Sequence, residues 1–142
     1  MMISTRGRYA LRVMTDLAEH RSGDWVPLSQ IAERQEISQK YLESIMALLT
    51  KGGLVEGASG KGGGYRLRRE PADYPLGEIL RLTEGSLVPV ACLEPDAAAC
   101  PRAERCRTLP MWRELDRVIA DFFDSRTIAE LMAPEDGGDY VI

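Results

Sequence analysis

The run Leu28-Ser29-Gln30-Ile31-Ala32-Glu33-Arg34-Gln35-Glu36-Ile37-Ser38-Gln39-Lys40-Tyr41-Leu42-Glu43-Ser44-Ile45-Met46-Ala47-Leu48-Leu49 predicts two helices meeting at a corner. In the first, Leu28, Ile31 and Ala32 form an inward face, Ser29 stands as the N-cap, and the helix ends near Gln35. Ile37 is placed to plug the corner. Ser38 caps the second helix, whose Leu42, Ile45, Met46 and Leu49 follow the i, i+3, i+4, i+7 pattern of a buried face. Its outer edge is then polar, with Gln39, Lys40, Glu43 and Ser44. Such a pair has the parts of a helix-turn-helix, whose second helix enters the major groove of DNA. An ordinary helical hairpin shows the same periodicity, so the flanking sequence has to separate the two.

Downstream, Lys51-Gly52-Gly53 ends the helix, Leu54-Val55-Glu56 reads as a strand, and Tyr65-Arg66-Leu67-Arg68 reads as its partner across Gly57-Ala58-Ser59-Gly60-Lys61-Gly62-Gly63-Gly64. That hairpin is a candidate wing. Five glycines around one lysine also suggest a phosphate cradle, but the P-loop pattern fails: Gly60-Lys61 is followed by Gly62, and no glycine stands at the required upstream position. Glycines let a backbone approach another surface closely, and Lys61 can meet a phosphate or reach the minor groove. The competing reading is a plain surface loop.

Upstream, Tyr9, Ala10, Val13, Met14, Leu17 and Ala18 mark an amphipathic helix over residues 4–21, stopped by Gly23. Beyond the hairpin, Leu76, Ile79, Leu80 and Thr83 form one side of a short helix ending at Gly85. Residues 1–85 thus read as a winged helix-turn-helix DNA-binding domain. Residues 86–142 read as a cysteine-bearing sensor loop and a dimerisation helix. The fold class expected is mainly α with a small β-hairpin wing. Val88-Pro89-Val90-Ala91 is extended, and the long helix starts at Pro110, with Trp112, Leu115, Ile119 and Phe122 as its seam. With Val118 and Phe123 beside that seam, the helix has more apolar surface than one small core covers, so a homodimer is expected; the alternative folds it back on its own domain. Thr127-Ile128-Ala129-Glu130 has the form of a capping box opening a last short helix.

All three cysteines, Cys92, Cys100 and Cys106, share one turn-rich loop, separated by seven and five residues. Thiolates bind soft metals, and three in a short loop reach one zinc ion or an iron-sulfur cluster if a fourth ligand is supplied. The spacing is equally open to a thiol switch or to incidental cysteines, and the one histidine, His20, lies at a helix end. With no Cys-x-x-Cys pair and no second histidine to activate a thiol, a thiol enzyme or redox carrier is disfavoured, and the expectation is a non-enzyme.

The formal charge of −4 argues on its face against a polyanion partner, but the average hides a split. Residues 1–68 carry 10 Lys and Arg against 7 Asp and Glu, whereas residues 69–142 carry 8 against 15. One end of the molecule suits nucleic acid and the other suits different work. No run approaches the roughly 18 apolar residues of a membrane span, and the first residues lack the apolar core of a signal peptide, so no membrane partner and a cytoplasmic location are expected.

Ser4-Thr5-Arg6-Gly7-Arg8-Tyr9-Ala10-Leu11-Arg12, Val26-Pro27-Leu28-Ser29-Gln30-Ile31-Ala32-Glu33-Arg34, Ile37-Ser38-Gln39-Lys40-Tyr41-Leu42-Glu43, Gly60-Lys61-Gly62-Gly63-Gly64-Tyr65 and Leu109-Pro110-Met111-Trp112-Arg113-Glu114-Leu115 together resemble the Rrf-two family of bacterial winged-helix transcriptional regulators. The likeness spans almost the whole chain. It implies a homodimer on a dyad-symmetric DNA operator, with Ser38, Gln39, Lys40, Tyr41 and Glu43 at the recognition helix and Ser59 to Lys61 at the wing. It also implies that Cys92, Cys100 and Cys106 stand where cluster-binding members hold an iron-sulfur cluster. Two positions depart from the pattern: Leu109 stands where one group of members has a histidine ligand, and Arg8 where another has an acidic one. Glu94, Asp96 and Glu104 are candidate oxygen donors of the loop, the alternative being that they are simply solvated. Arg6, Lys40, Lys51 and Lys61 would mostly neutralise phosphate, while Gln39 and Glu43 would meet base edges. A cluster-free regulator of the same fold, answering to a protein partner or a thiol metabolite, is the alternative.

Overall fold

The structure, a computed structural model, describes residues 2–134; Met1 and residues 135–142, the end of the segment assigned above to sensing and dimerisation, lie outside the described residues. Helix α1 spans Thr5–Glu19, and Ser4 caps it by accepting from the Gly7 amide at 3.2 Å. It closes two residues earlier than the apolar stripe suggested, where the His20 amide bonds back to the Asp16 carbonyl at 3.0 Å. Ala10, Val13, Met14, Leu17 and Ala18 of α1 are all buried.

Helix α2 (Leu28–Gln35) and helix α3 (Gln39–Lys51) are the two expected elements. Ser29 is not the cap of α2. Pro27 holds that position at φ −62°, an angle its ring enforces, and Ser29 lies exposed inside the first turn. The corner is made by Glu36 in the left-handed region at φ 55°, and by Ile37, which is buried beneath it. Ser38 caps α3 as expected, accepting from the Tyr41 amide at 3.2 Å. Leu42, Ile45, Met46 and Leu49 are fully buried.

Strands β1 (Val55–Ala58) and β2 (Gly64–Leu67) pair antiparallel, with Val55 opposite Leu67 and Ala58 opposite Gly64. Leu54 and Arg68, expected inside the hairpin, lie just outside the paired residues. A third segment joins the hairpin's free edge: Val26 and Tyr65 exchange backbone hydrogen bonds of 2.8 and 2.9 Å. This contact needs Gly64, because a Cβ there would stand 2.2 Å from the Val26 carbonyl oxygen. At the hairpin's base the buried Tyr74 hydroxyl donates to the Leu54 carbonyl at 2.6 Å and accepts from the amides of Arg68 and Arg69.

Helix α4 (Leu76–Glu84) ends at Gly85, and a single 3-10 turn, Ala91–Leu93, follows the extended residues after it. Helix α5 covers Leu109–Asp124, opening one residue before Pro110, and helix α6 covers Ile128–Leu131. The Thr127 amide donates to the Glu130 carboxylate at 2.7 Å, the capping-box bond read from the sequence. Ile128 is fully buried in the same core as α1 to α4, and its amide bonds to the Tyr74 carbonyl. The chain therefore returns to the helix-turn-helix unit after α5.

Helix α5 is different in kind, because Leu109 is its only buried residue. Met111, Leu115, Val118 and Phe122 are 50, 38, 58 and 50 % exposed. They form one stripe at spacings of four, three and four. The expected seam of Trp112, Leu115, Ile119 and Phe122 is thus corrected by part of a turn: Trp112 and Ile119 are half-buried, and Met111 and Val118 take the outward places.

Candidate nucleic-acid interface and cysteine cavity

The orientation of α3 is set by a buried carboxylate. Asp16 of α1, 1 % exposed, accepts from Arg34 Nε and a terminal guanidinium nitrogen at 3.0 and 2.7 Å and from the Gln35 amide at 2.8 Å. A bidentate guanidinium and a carboxamide satisfy a charge that burial alone would make very costly. The ion pair also raises the Arg34 pKa above its ordinary value, chiefly through the hydrogen bond to Asp16. Arg12 donates to the Gln35 carbonyl and side chain, so two residues of α1 hold the last turn of α2, just before the corner. None of this was read from the sequence. Its one signal was an acid at position 16 inside the apolar stripe of α1.

From that clamp α3 presents Gln39, Lys40 and Glu43 to solvent, all exposed. Ser38 is exposed but committed to its cap. Tyr41 is half-buried, with its ring edge-on to Tyr9 at 5.7 Å, so much of it supports the start of α3 from α1. Arg6 is exposed in the first turn of that same α1. At the other end of α3, Lys51 shares a groove with Ser59, lined also by Ala47, Thr50 and Tyr65. Lys61 stands exposed in the hairpin turn, where Gly60 and Gly62 take φ 89° and 79°. The C-terminal end of α3 and the hairpin thus meet along one groove.

The cysteine loop forms a second site. Cys92, Cys100 and Cys106 line one cavity of about 250 Å³, together with Leu93, Leu109, Arg113 and four alanines. Cys106 sits just before α5 with its sulfur 3.5 Å from the Thr108 hydroxyl. Hydrogen bonds from that hydroxyl and from the amides of Thr108 and Leu109 hold its thiol below the usual range. Such bonds favour the thiolate that metals require. Among the described residues no three histidine, cysteine or carboxylate side chains stand close enough to hold a single metal ion. A cluster is wider than an ion, and three soft donors lining one cavity fit it in chemistry. Glu94, Asp96 and Glu104, the loop carboxylates, are not part of the cavity lining.

Among the described residues no helix is long and apolar enough to cross a membrane. A family model described as Rrf2, an iron-dependent transcriptional regulator, matches residues 3–134. The chain is 39% identical over 132 residues to the HTH-type transcriptional regulator IscR of Vibrio atlanticus, covering 93% of this chain and 75% of that one. Among solved structures it resembles CymR, the global cysteine regulator of B. subtilis, with a TM-score of 0.75 and 34% identity over 92% of this chain and 95% of that one. It also resembles T. potens IscR, with a TM-score of 0.70 and 37% identity over 92% of this chain and 85% of that one. The winged helix-turn-helix read from the sequence is therefore the fold of these relatives, and the chain belongs to the Rrf2 family of transcriptional regulators.

Proposed function

We propose that the protein binds duplex DNA as a homodimer, each subunit setting the start of α3 in a major groove and its hairpin at the flanking minor groove. Cys92, Cys100 and Cys106 hold an iron-sulfur cluster whose presence tunes that binding. The observation that carries the reading is the exposed edge of Gln39, Lys40 and Glu43 on a helix capped by Ser38 and clamped through Asp16. A helix held this firmly, with its polar groups left to solvent, is suited to reading a surface. Lys40, Lys51, Lys61 and Arg6 neutralise phosphates and make affinity fall with salt; Gln39 and Glu43 choose the bases.

The dimer reading rests on α5. Met111, Leu115, Val118 and Phe122 are already about half buried, so covering what remains exposed gains roughly half of the 1.5–3 kcal/mol of a full burial each, and a second copy of the same stripe offers an equally apolar surface. The cluster reading rests on the three thiols around one cavity and on the family's description as iron-dependent. When bound, the cluster supplies sensitivity to iron and to oxidants. The cysteines anchor it, and the adjacent start of α5 moves with their loop. A switch of this kind works only if the two states bind DNA with different free energy.

Selection of bound duplexes from a random pool, with and without iron and sulfide reconstitution, tests both halves. The reading expects one dyad-symmetric sequence enriched and its affinity changed by reconstitution. It also expects visible charge-transfer absorption that is lost when all three cysteines are replaced by Ala. Colourless protein after reconstitution overturns the cluster and leaves the DNA reading standing. That outcome leaves the cluster-free alternative, with which the likeness to a cysteine regulator is in keeping.

A further inference from the structure

We infer that a cavity at the base of the wing, away from both sites above, binds a small multivalent anion of the dicarboxylate or phosphate-ester class. The cavity measures about 330 Å³, within the usual range for small-ligand sites, and lies between the end of α1, the segment before α2 and the residues following β2. Its lining includes four guanidinium groups, Arg21, Arg66, Arg68 and Arg69, over apolar Leu17 and Val26. Only two carboxylates, Asp24 and Glu70, share that lining. Glu56 and Glu78, which pair with Arg66 and Arg69, bring the carboxylates beside these arginines to four, so an anion would be met by Arg68 and by Arg21 rather than by all four.

The existing partners hold these arginines unequally. Arg21 pairs with Glu70 at 2.5 Å, but the Glu70 side chain is 73 % exposed. Arg66 pairs with Glu56 at 2.6 Å, and Arg69 is held by Glu78 through two bonds of 2.6 and 3.0 Å, so these two keep their own carboxylates. An exposed single contact such as Arg21–Glu70 is worth about 0–1 kcal/mol, so exchanging it for a bidentate contact to a carboxylate or phosphate costs little. Arg68 has no carboxylate partner among the described residues. Arg66 is already oriented by stacking on Trp25, 4.0 Å from the ring centroid, which fixes one guanidinium plane at the rim.

A small anion fits better here than the phosphates of the bound duplex. Strand β2 runs from Gly64 to Leu67 at about 3.3 Å per residue, so Arg68 and Arg69 lie at the opposite end of the hairpin from Lys61. The cavity also touches the segment that steadies the wing, since Val26 in its floor carries both hydrogen bonds to Tyr65.

The test follows Trp25 fluorescence in the full chain carrying Trp112→Phe, titrated with malonate and with glycerol 3-phosphate at ionic strength held constant with chloride. The expected result is a saturable change with one or both probes, the probe that saturates naming the acid group. The midpoint moves at least tenfold higher in Arg21→Ala/Arg68→Ala. Should that pair not fold, Arg68→Gln, at an exposed position, replaces it, with a shift of threefold or more expected. A response with neither probe, or one equal in parent and variant, overturns the site. So does an unchanged anion response accompanied by a shallower salt dependence of DNA binding in the variant, because Arg68 would then be a phosphate contact.

Discussion

Two kinds of residue carry the proposed reading of DNA, and they should fail differently. Lys40 is exposed on α3 and placed for phosphate, so Lys40→Ala should weaken binding to every duplex about equally and flatten the log–log salt slope by about 0.9. Glu43→Ala should instead change which sequence is preferred, by about 1–3 kcal/mol at one base pair. Competition binding against a panel of single-base variants separates the two effects. Asp16 acts at a distance. Its removal leaves Arg34 and Gln35 without their shared acceptor, but Arg34 is 30 % exposed and can turn to water. Asp16→Ala is therefore expected to cost about 2–3 kcal/mol, nearer the lower end for a buried pair, read as a fall in the denaturant midpoint. The contrast shows what local sequence can reveal. Ser38 was legible because a cap bonds three residues ahead. Asp16 was not, because its partners lie eighteen and nineteen residues away.

At the scale of elements, the helix-turn-helix and the hairpin were legible because periodicity and glycine placement are local signals. The ends shifted where a neighbour intervened. Ser29 lost the cap of α2 to Pro27, and the hairpin's pairing begins at Gly64, where Val26 runs so close on the other edge that only glycine fits. Helix α5 shows the limit of periodicity. Its sequence carries two adjacent apolar rows, and spacing cannot tell which row meets the chain's own α4 and which faces away. The structure turns Met111, Leu115, Val118 and Phe122 outward. If that stripe is the dimer contact, Val118→Glu should shift sedimentation from twice the chain mass of 15.8 kDa to one chain mass, while α1 to α4 stay folded by circular dichroism. An unchanged sedimentation coefficient places the dimer contact elsewhere.

Across the whole molecule, ion pairs and hydrogen bonds tie the cysteine-bearing half to the helix-turn-helix half. Asp124 at the end of α5 accepts two bonds from Arg81 of α4, at 2.7 and 3.1 Å. Glu84 at the end of α4 accepts from the amide and hydroxyl of Ser4, the cap of α1. Helix α1 in turn holds the corner before α3 through Asp16 and Arg12. The charge split between the halves is visible in the sequence, where it predicts a division of labour. The gathering of three cysteines around one cavity was legible only as closeness along the chain, because their convergence depends on where the loop lies against the start of α5.

The most direct test of the account is a hydroxyl-radical and base-methylation footprint of the protein on its selected duplex. The account predicts two protected major-groove segments on one face of the DNA, symmetric about a dyad and one helical turn or a multiple of it apart. The wing's minor-groove protection should flank them and be lost in Lys61→Ala. Protection confined to one uninterrupted segment, or a footprint that Lys40→Ala and Lys61→Ala leave unchanged, contradicts it.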